Sequence, residues 1–434
     1  MIKMSRAVLI CFICLYPLAG VCGAQKITLA GCEKRALETS HSVKSAENEF
    51  KAAKAVADAS KTNLLPALLL EGRAYYVTAV PELDVTLPGI GRIEKRLGDN
   101  LNYSAGLALR WNLFDGNAQR NSHEAAKKAA ESKKAVYDYE KKKALTDARI
   151  AYFNLITAAA NLKLIDEQLV LAVSQNGDIK KGALLGSKSK LDEVMSGNEV
   201  LIRQKQKNAA EILLMEAADK LNSLTGNIIE NYEAGLNAFD SPETLLQAFS
   251  KNMDSDFDDK NPQLVSLDML EQYYGLAADS YKNMNFPRVN IFASSTYDYP
   301  DGPNLEPVWQ NRAGADFSMP VYQFGKNSKA AKQHEFTALS VESRKQKLYD
   351  DLKRLFNRSK QKARILYSQI DLSKNLVSQS QTAADMTYKS YISGNSKYLD
   401  VQYMNLKVLE AKSNETDFYA GLLTELTILE ALKK

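Results

Sequence analysis

Gly186-Ser187-Lys188-Ser189-Lys190-Leu191-Asp192 returns near the far end of the chain as Gly394-Asn395-Ser396-Lys397-Tyr398-Leu399-Asp400. The glycines and the Leu-Asp pairs are each 208 positions apart. The same shift lays Gly106 on Gly314, Phe114 on Tyr322, and Leu221 and Leu224 on Leu429 and Leu432. A repeat this long means two copies of one architectural unit, an arrangement that suits a wall around a space better than a catalytic pocket.

On either side of each Gly turn the sequence reads as helix. About residues 117–181 and 326–391 run proline-free and rich in Ala, Lys, Glu, Gln and Leu. At about 1.5 Å per residue each would span close to about 100 Å. In the first, Leu145, Ala148, Tyr152, Leu155, Ala159, Leu162, Ile165, Leu169 and Ala172 recur at steps of three and four, with one break after Leu162. That is coiled-coil periodicity, and its alanines permit close helix approach. Return helices follow over about 188–225 and 397–432, so each turn is the tip of a helical hairpin.

Further upstream the shift grows to 221, from Pro66 to Pro287. Each proline closes a helix, Ile27–Asn63 (broken near Ser40-His41-Ser42) and Asn261–Asn285, because it lacks the amide and biases its predecessor toward extended backbone. The strand after Pro287 puts Val289, Ile291, Ala293 and Tyr297 on one face and Arg288, Asn290, Ser294 and Thr296 on the other. A returning strand alternates Leu101, Tyr103, Ala105, Leu107, Leu109, Trp111 and Leu113 with Asn102, Ser104, Arg110 and Asn112. In its counterpart Arg312, Asp316 and Ser318 oppose Ala313, Ala315, Phe317 and Met319. An aromatic-bearing apolar face against a charged one suits a lipid-facing barrel with a wet interior; one such strand alone would equally fit a half-exposed sheet on a core. Hairpins are expected over about 67–114 and 288–322. Pro66 to Gly106 is 13 residues longer than Pro287 to Gly314, and the surplus, with Pro81-Glu82-Leu83-Asp84 and Leu87-Pro88-Gly89-Ile90-Gly91, is expected to be the cell-surface loop.

The domain reading is a first repeat over 25–225, a connector over 226–260 and a second repeat over 261–434. The connector is acidic, but Asp254-Ser255-Asp256-Phe257-Asp258-Asp259 lacks the central Gly and closing Glu of a calcium loop and reads as a solvated link. Residues 1–24 read as a secretory signal: Lys3 and Arg6, an apolar stretch from Ala7 to Gly20, then a small-residue cleavage region at Gly23 or Ala24. Val21 before Cys22 makes a poor lipobox. Export would leave Cys32 as the lone cysteine, so no intrachain disulfide is expected. It would also leave 54 of the 56 basic residues against 52 acidic, which argues against nucleic acid or another polyanion as partner. No later run of about 18 apolar residues exists, so membrane insertion would have to be by β-barrel. Four strands per chain are too few to close a barrel around an aqueous pore, so their edges need other copies.

No enzyme constellation stands out. His41, His123 and His334 are isolated, there is no Gly-rich phosphate loop, and neither cofactor nor metal is expected. The 21 tyrosines suit barrel girdles and helix packing better than chemistry.

The order of these parts resembles the TolC family of outer-membrane efflux proteins. The segments that carry the likeness are Ile27-Thr28-Leu29-Ala30 through Ser40-His41-Ser42-Val43, Asn261-Pro262-Gln263-Leu264, Trp111-Asn112-Leu113-Phe114-Asp115-Gly116, Met319-Pro320-Val321-Tyr322-Gln323-Phe324-Gly325, and the two tips. The resemblance implies a mainly α fold with a β-barrel contribution: a homotrimer with a twelve-stranded barrel in the outer membrane of a Gram-negative bacterium and a periplasmic helical tunnel. It implies a channel that passively conducts substrates from a periplasmic adaptor, and through it an inner-membrane pump or secretion ATPase, to the exterior. It further implies that Tyr391, Asp400 and Asp192 lie at the periplasmic gate, although Ser396 stands where a gate arginine is found in the family and Tyr403 where a second acid could be. From the residues themselves, Asp192 equally fits a capping box with Ser189, and Gly186 and Gly394 equally fit helix stops. Leu184, Leu185, Gly186, Ile392 and Gly394 are expected to dock the adaptor, since apolar groups at a turn between polar helices need a cover; packing on the neighbouring hairpin is the alternative. A periplasmic adaptor or another soluble coiled-coil protein would share the hairpins but not the strands.

Overall fold

The computed structural model describes residues 27–226, 246–247, 255–302 and 304–434. The segment read as a signal and most of the expected connector lie outside them. The described elements are α1 (Leu29–Thr39), α2 (His41–Thr62), β1 (Ala67–Tyr76), β2 (Glu82–Leu87), β3 (Gly91–Arg96), β4 (Leu101–Phe114), α3 (Ala118–Leu184), α4 (Lys190–Thr225), α5 (Pro262–Asn283), β5 (Arg288–Tyr299), β6 (Val308–Ser318), α6 (Lys326–Ile392) and α7 (Tyr398–Leu432). Helices α3 and α6 both have 67 residues and begin 208 positions apart; α2 and α5 both have 22 and begin 221 apart. The chain divides into two compact units, one containing the strands and the other the helical tips.

In the strand-bearing unit, Ser40 starts α2 by accepting the Val43 amide, and Asn261 starts α5 by accepting that of Gln263, with Pro262 in the first turn. The strands that follow form one antiparallel sheet in the order β1-β4-β5-β6, so β4 and β5 join the two hairpins and β1 and β6 are open edges. The register sorts side chains by chemistry. Leu68 and Leu70 of β1 align with Leu109 and Leu107 of β4, which align with Ala293 and Ser295 of β5 and so with Ala313 and Asn311 of β6. Near the loop end, the same face carries Tyr76, stacked Tyr103 and Tyr299 (4.8 Å between centroids), and Tyr297 against Trp309 (5.4 Å). Near the helical end the exposed aromatics include Phe114, Phe286, Phe317, Tyr322 and Phe324. Aromatic belts at both ends of an apolar band are what a bilayer-spanning sheet requires.

The opposite face is polar. Arg110 pairs with Glu71 at 2.5 Å, Arg312 with Asp298 at 2.8 Å, and the Ser104 hydroxyl donates to Asp298 at 2.5 Å. A concavity of about 1190 Å³ opens at the base of the sheet, with Glu71, Arg110, Asn112, Asn290 and Asp316 in its lining. The surplus expected as a loop is itself ordered: β2 and β3 form a separate two-stranded sheet. Its alternation of charged and apolar residues over 82–87 and 91–96 is the period-two signal of a hairpin, with Gly89 in the turn and Gly91 at the start of β3 both at positive φ.

The sheet passes into α3 through Asp115-Gly116-Asn117. Asp115 accepts the Gln119 amide at 3.0 Å, and Gly116 has φ +70, where a Cβ would lie 2.5 Å from Phe286 Cβ. This unit also holds the chain end, where Phe257 bridges Lys433 and packs its ring on Tyr349 and Phe356.

In the other unit α1 lies along α4. Thr39 donates to the Leu224 carbonyl at 3.0 Å, just before Gly226 ends α4 in the left-handed conformation. Cys32 and Ala36 are buried there. The expected coiled-coil stripe is buried at Ala148, Tyr152, Leu155, Ala159 and Leu162. Beyond the break it continues through Gln168, Ala172, Gln175 and Ile179 in place of Ile165 and Leu169. Glutamines can occupy this stripe because polar partners meet them: the Asn405 side chain donates to Gln175 at 3.1 Å.

Candidate functional site at the helical tips

Both long helices end in the same way. The Gly186 amide donates to Ala183 and the Ser187 amide to Gly182; the Gly394 amide donates to Tyr391 and the Asn395 amide to Ser390. This double bond pattern with glycine left-handed (φ +74 and +85) is the Schellman stop. The glycines therefore end helices, and in doing so they set the short turns that aim α4 and α7 back.

The return helices start differently. Ser189 caps α4, its hydroxyl accepting the Asp192 amide at 3.0 Å. At α7 the Asp400 carboxylate reaches back to accept the Lys397 amide at 3.0 Å. The reach-back of a capping box is thus made by Asp400, while the Asp192 carboxylate is free to point elsewhere. It accepts the Tyr391 hydroxyl at 3.3 Å.

Tyr391 is where the two hairpins meet. It is buried in a cluster with Ile179, Tyr398 and Val401, against which Met195 and Tyr388 pack. Lys188, from the first tip, places its ammonium 3.9 Å from the centre of the Tyr391 ring and donates to the Tyr391 carbonyl at 2.8 Å. One lysine therefore satisfies a helix-terminal carbonyl and makes a cation–π contact at once. Burial, then the Asp192 charge, push the Tyr391 phenol up to about 12, and burial raises Tyr398 further. Tyr388 makes a parallel link, donating to Asp178 at 3.3 Å.

Behind this clasp lies a buried ion pair. Arg203 meets Glu199 at 2.6 Å with side chains 4% and 9% exposed, and the Gln402 amide of α7 donates to both Glu199 and the Met195 carbonyl. At the apex Leu184 and Leu185 are 88% and 85% exposed, and Ile392 is exposed too. Neither apical leucine packs on the neighbouring hairpin.

The tip therefore brings together Asp192 and Tyr391, leaves Asp400 exposed at its helix start, and adds Lys188, Glu199, Arg203 and Gln402, which sequence reading passed over. The i,i+4 spacing of Glu199 and Arg203 was visible. Nothing in the sequence marked that pair as buried, because Leu201 and Ile202 between them are exposed.

A raised tyrosine pKa stabilises the folded tip where the phenol is protonated. That contribution is fully present below the ordinary value near 10 and is lost as pH rises through about 12. The tips are expected to be indifferent to pH between about 6 and 9 and to loosen in strong alkali. Tyrosinate absorbance of wild type against Tyr391→Phe checks this; one fewer late-titrating tyrosine in the variant is the expected result.

Comparison with known proteins places the fold. Residues 33–227 match the family model described as outer membrane efflux protein. The outer-membrane channel OprN matches with a TM-score of 0.75 at 13% identity, over 93% of this chain and 89% of that one. The Campylobacter jejuni CmeC outer membrane channel gives 0.74 at 13%, over 93% and 86%. The outer membrane protein VceC from Vibrio cholerae gives 0.74 at 14%, over 93% and 95%. No curated protein matches the sequence.

Proposed function

We propose that this chain, whose residues 33–227 match the family model described as outer membrane efflux protein, is a member of that family and works as a homotrimeric duct that passively conducts substrates outward. The observation that carries the reading is the four-stranded sheet, apolar on one face, charged on the other, with both edges open. An open edge is a row of unpaired amides and carbonyls that lipid cannot satisfy. Pairing β6 of one copy with β1 of the next removes every edge, and three copies give twelve strands with the Arg110–Glu71 and Arg312–Asp298 faces lining water. Detergent-extracted protein of three-chain mass, with strand signal in circular dichroism, is expected. A monomer without strand signal sinks the reading.

In this duct the tips are the periplasmic gate. Lys188, Tyr391 and Asp192 hold the two hairpins of one chain together, and opening means parting them. The exposed Leu184 and Leu185, with Ile392 and the two glycine turns, are the surface that a periplasmic adaptor would cover, with energy coming from the inner-membrane pump behind it. No chemistry at the tips is needed for passive flow.

Asp400 is proposed to add its charge to the pore mouth while capping α7. Asp400→Asn keeps an acceptor for the Lys397 amide but removes the charge, so helix stability should change by only a few tenths of a kcal/mol, about the difference among good caps. Block of the channel by multivalent cations should weaken. Unchanged block would confine Asp400 to capping.

A further inference from the structure

The four-stranded sheet repeats the internal register of the chain. The shifts that relate the two halves, 221 for β1 and 208 for β4, carry the pair Ala67↔Arg110 onto Arg288↔Ser318, and the sheet contains both. The β1–β4 and β5–β6 hairpins are therefore one unit twice, down to which residue faces which. Within the chain they are joined by the β4–β5 seam. Under the same shifts the counterpart of that seam lies between β6 and β1, the two open edges. Four strands are too few to close on themselves, so this second seam must lie between copies.

The repeat also supplies the register of that seam. In β4–β5, Ala108 faces Ser294, Leu109 faces Ala293 and Ala105 faces Tyr297. Shifted, these become Asp316 facing Arg73, Phe317 facing Gly72 and Ala313 facing Tyr76. The side chains agree with the alignment. Arg73 lies two residues from Glu71 and Asp316 four from Arg312, so both stand on the charged face; both are exposed, and neither has an ion-pair partner among the described residues. Phe317 and Tyr76, 71% and 68% exposed on the apolar face, each meet a residue with little or no side chain. Other registers lose these matches. A slip of one residue sets the charged face against the apolar one. A slip of two sets Asp316 against Glu71 in one direction, and in the other sets Asp316 against Tyr75 and Arg73 against Ser318.

We propose that β6 of one copy pairs with β1 of the next in the register that sets Asp316 opposite Arg73 of that next copy, one ion pair at each seam fixing the alignment of the barrel. The proposal rests on the duct reading above. The occupant of each edge is a second copy, because the chain already joins the equivalents of these two edges to each other. Opposite charges across a strand pair favour it and like charges oppose it. Inside the chain the same position holds Ala108 and Ser294, so the charges mark only the seam that has no covalent connection to hold it.

Cysteine crosslinking in full-length protein extracted from the membrane tests the register. Directly opposed residues hold their Cβ atoms about 4.5–5.5 Å apart and diagonal ones about 7–8 Å. Oxidation of Arg73→Cys with Asp316→Cys should therefore join chains at least about tenfold faster than Glu71→Cys or Tyr75→Cys with Asp316→Cys. Cys32 is buried and should not compete. Charge reversal reads the ion pair: Arg73→Asp should cut the yield of heat-resistant trimer about fivefold, and adding Asp316→Arg should restore it. Faster crosslinking at position 71 or 75 overturns the register. A swap that restores nothing, or an Arg73→Asp trimer as resistant as wild type, overturns the ion pair. Protein that stays monomeric and crosslinks at none of the three positions would instead overturn the duct reading itself.

Discussion

Gly106→Ala is expected to abolish assembly of the four-stranded sheet and of the proposed barrel. A Cβ at this position would lie 2.2 Å from the Ser295 carbonyl oxygen and 2.5 Å from Thr296 Cα, both backbone atoms of the adjacent strand. A side chain could turn away; a ladder rung cannot. Gly106 faces Thr296 in the β4–β5 pairing, the seam through which the two hairpins become one sheet. Forcing it apart exposes amides and carbonyls to lipid, at a cost of several kcal/mol for each group left unpaired. The repeat supplies the control. Gly314, 208 residues on, would direct a Cβ at the Phe292 ring, 2.7 Å away, and an aromatic side chain can shift. Gly314→Ala is expected to cost about 1–3 kcal/mol, the usual range for overpacking, and still assemble. Yield of membrane-inserted oligomer and strand signal measure both variants, and equal assembly of Gly106→Ala and wild type would mean the seam is not built this way.

Arg203→Ala is expected to loosen the helical tips, the proposed gate, from within. It strands Glu199, whose side chain is 9% exposed, with only the Gln402 amide in reach at 3.3 Å. Removing one partner of a buried pair costs about 3–5 kcal/mol, because the remaining charge stays out of water. The loss should appear locally, as amide exchange in the first half of α4 faster by roughly two decades or more. The account also requires that the double replacement Glu199→Met with Arg203→Met recover most of the loss, since two well-packed apolar residues avoid the desolvation altogether. If the single and double variants exchange alike, the pair does not brace the tips.

Much of the fold was legible because long elements advertise themselves. A pattern repeated over about eighteen helical turns survives a few misread residues, and Pro66, Pro287, Gly186 and Gly394 punctuate the chain by steric rules that context does not override. The strands were legible because their two faces differ in polarity at alternate positions. The β2–β3 hairpin was seen as length without structure, since Pro81, Pro88 and three nearby glycines read as loop. The proposed gate was legible only in outline. Asp192 and Asp400 occupy equivalent positions in the repeat, yet one reaches a tyrosine on the other hairpin and the other caps its own helix. Sequence spacing identifies the turn of helix on which an acid sits. Which neighbour it meets depends on a contact about 200 residues away.

Conductance across a planar bilayer tests the central claim most directly, with wild type and Lys188→Ala compared at the same protein density. The account predicts discrete trimer-sized channels in both, small and mostly closed in wild type and substantially larger once Lys188 no longer grips Tyr391. Absence of any conductance from either, in protein shown to be inserted, would contradict it.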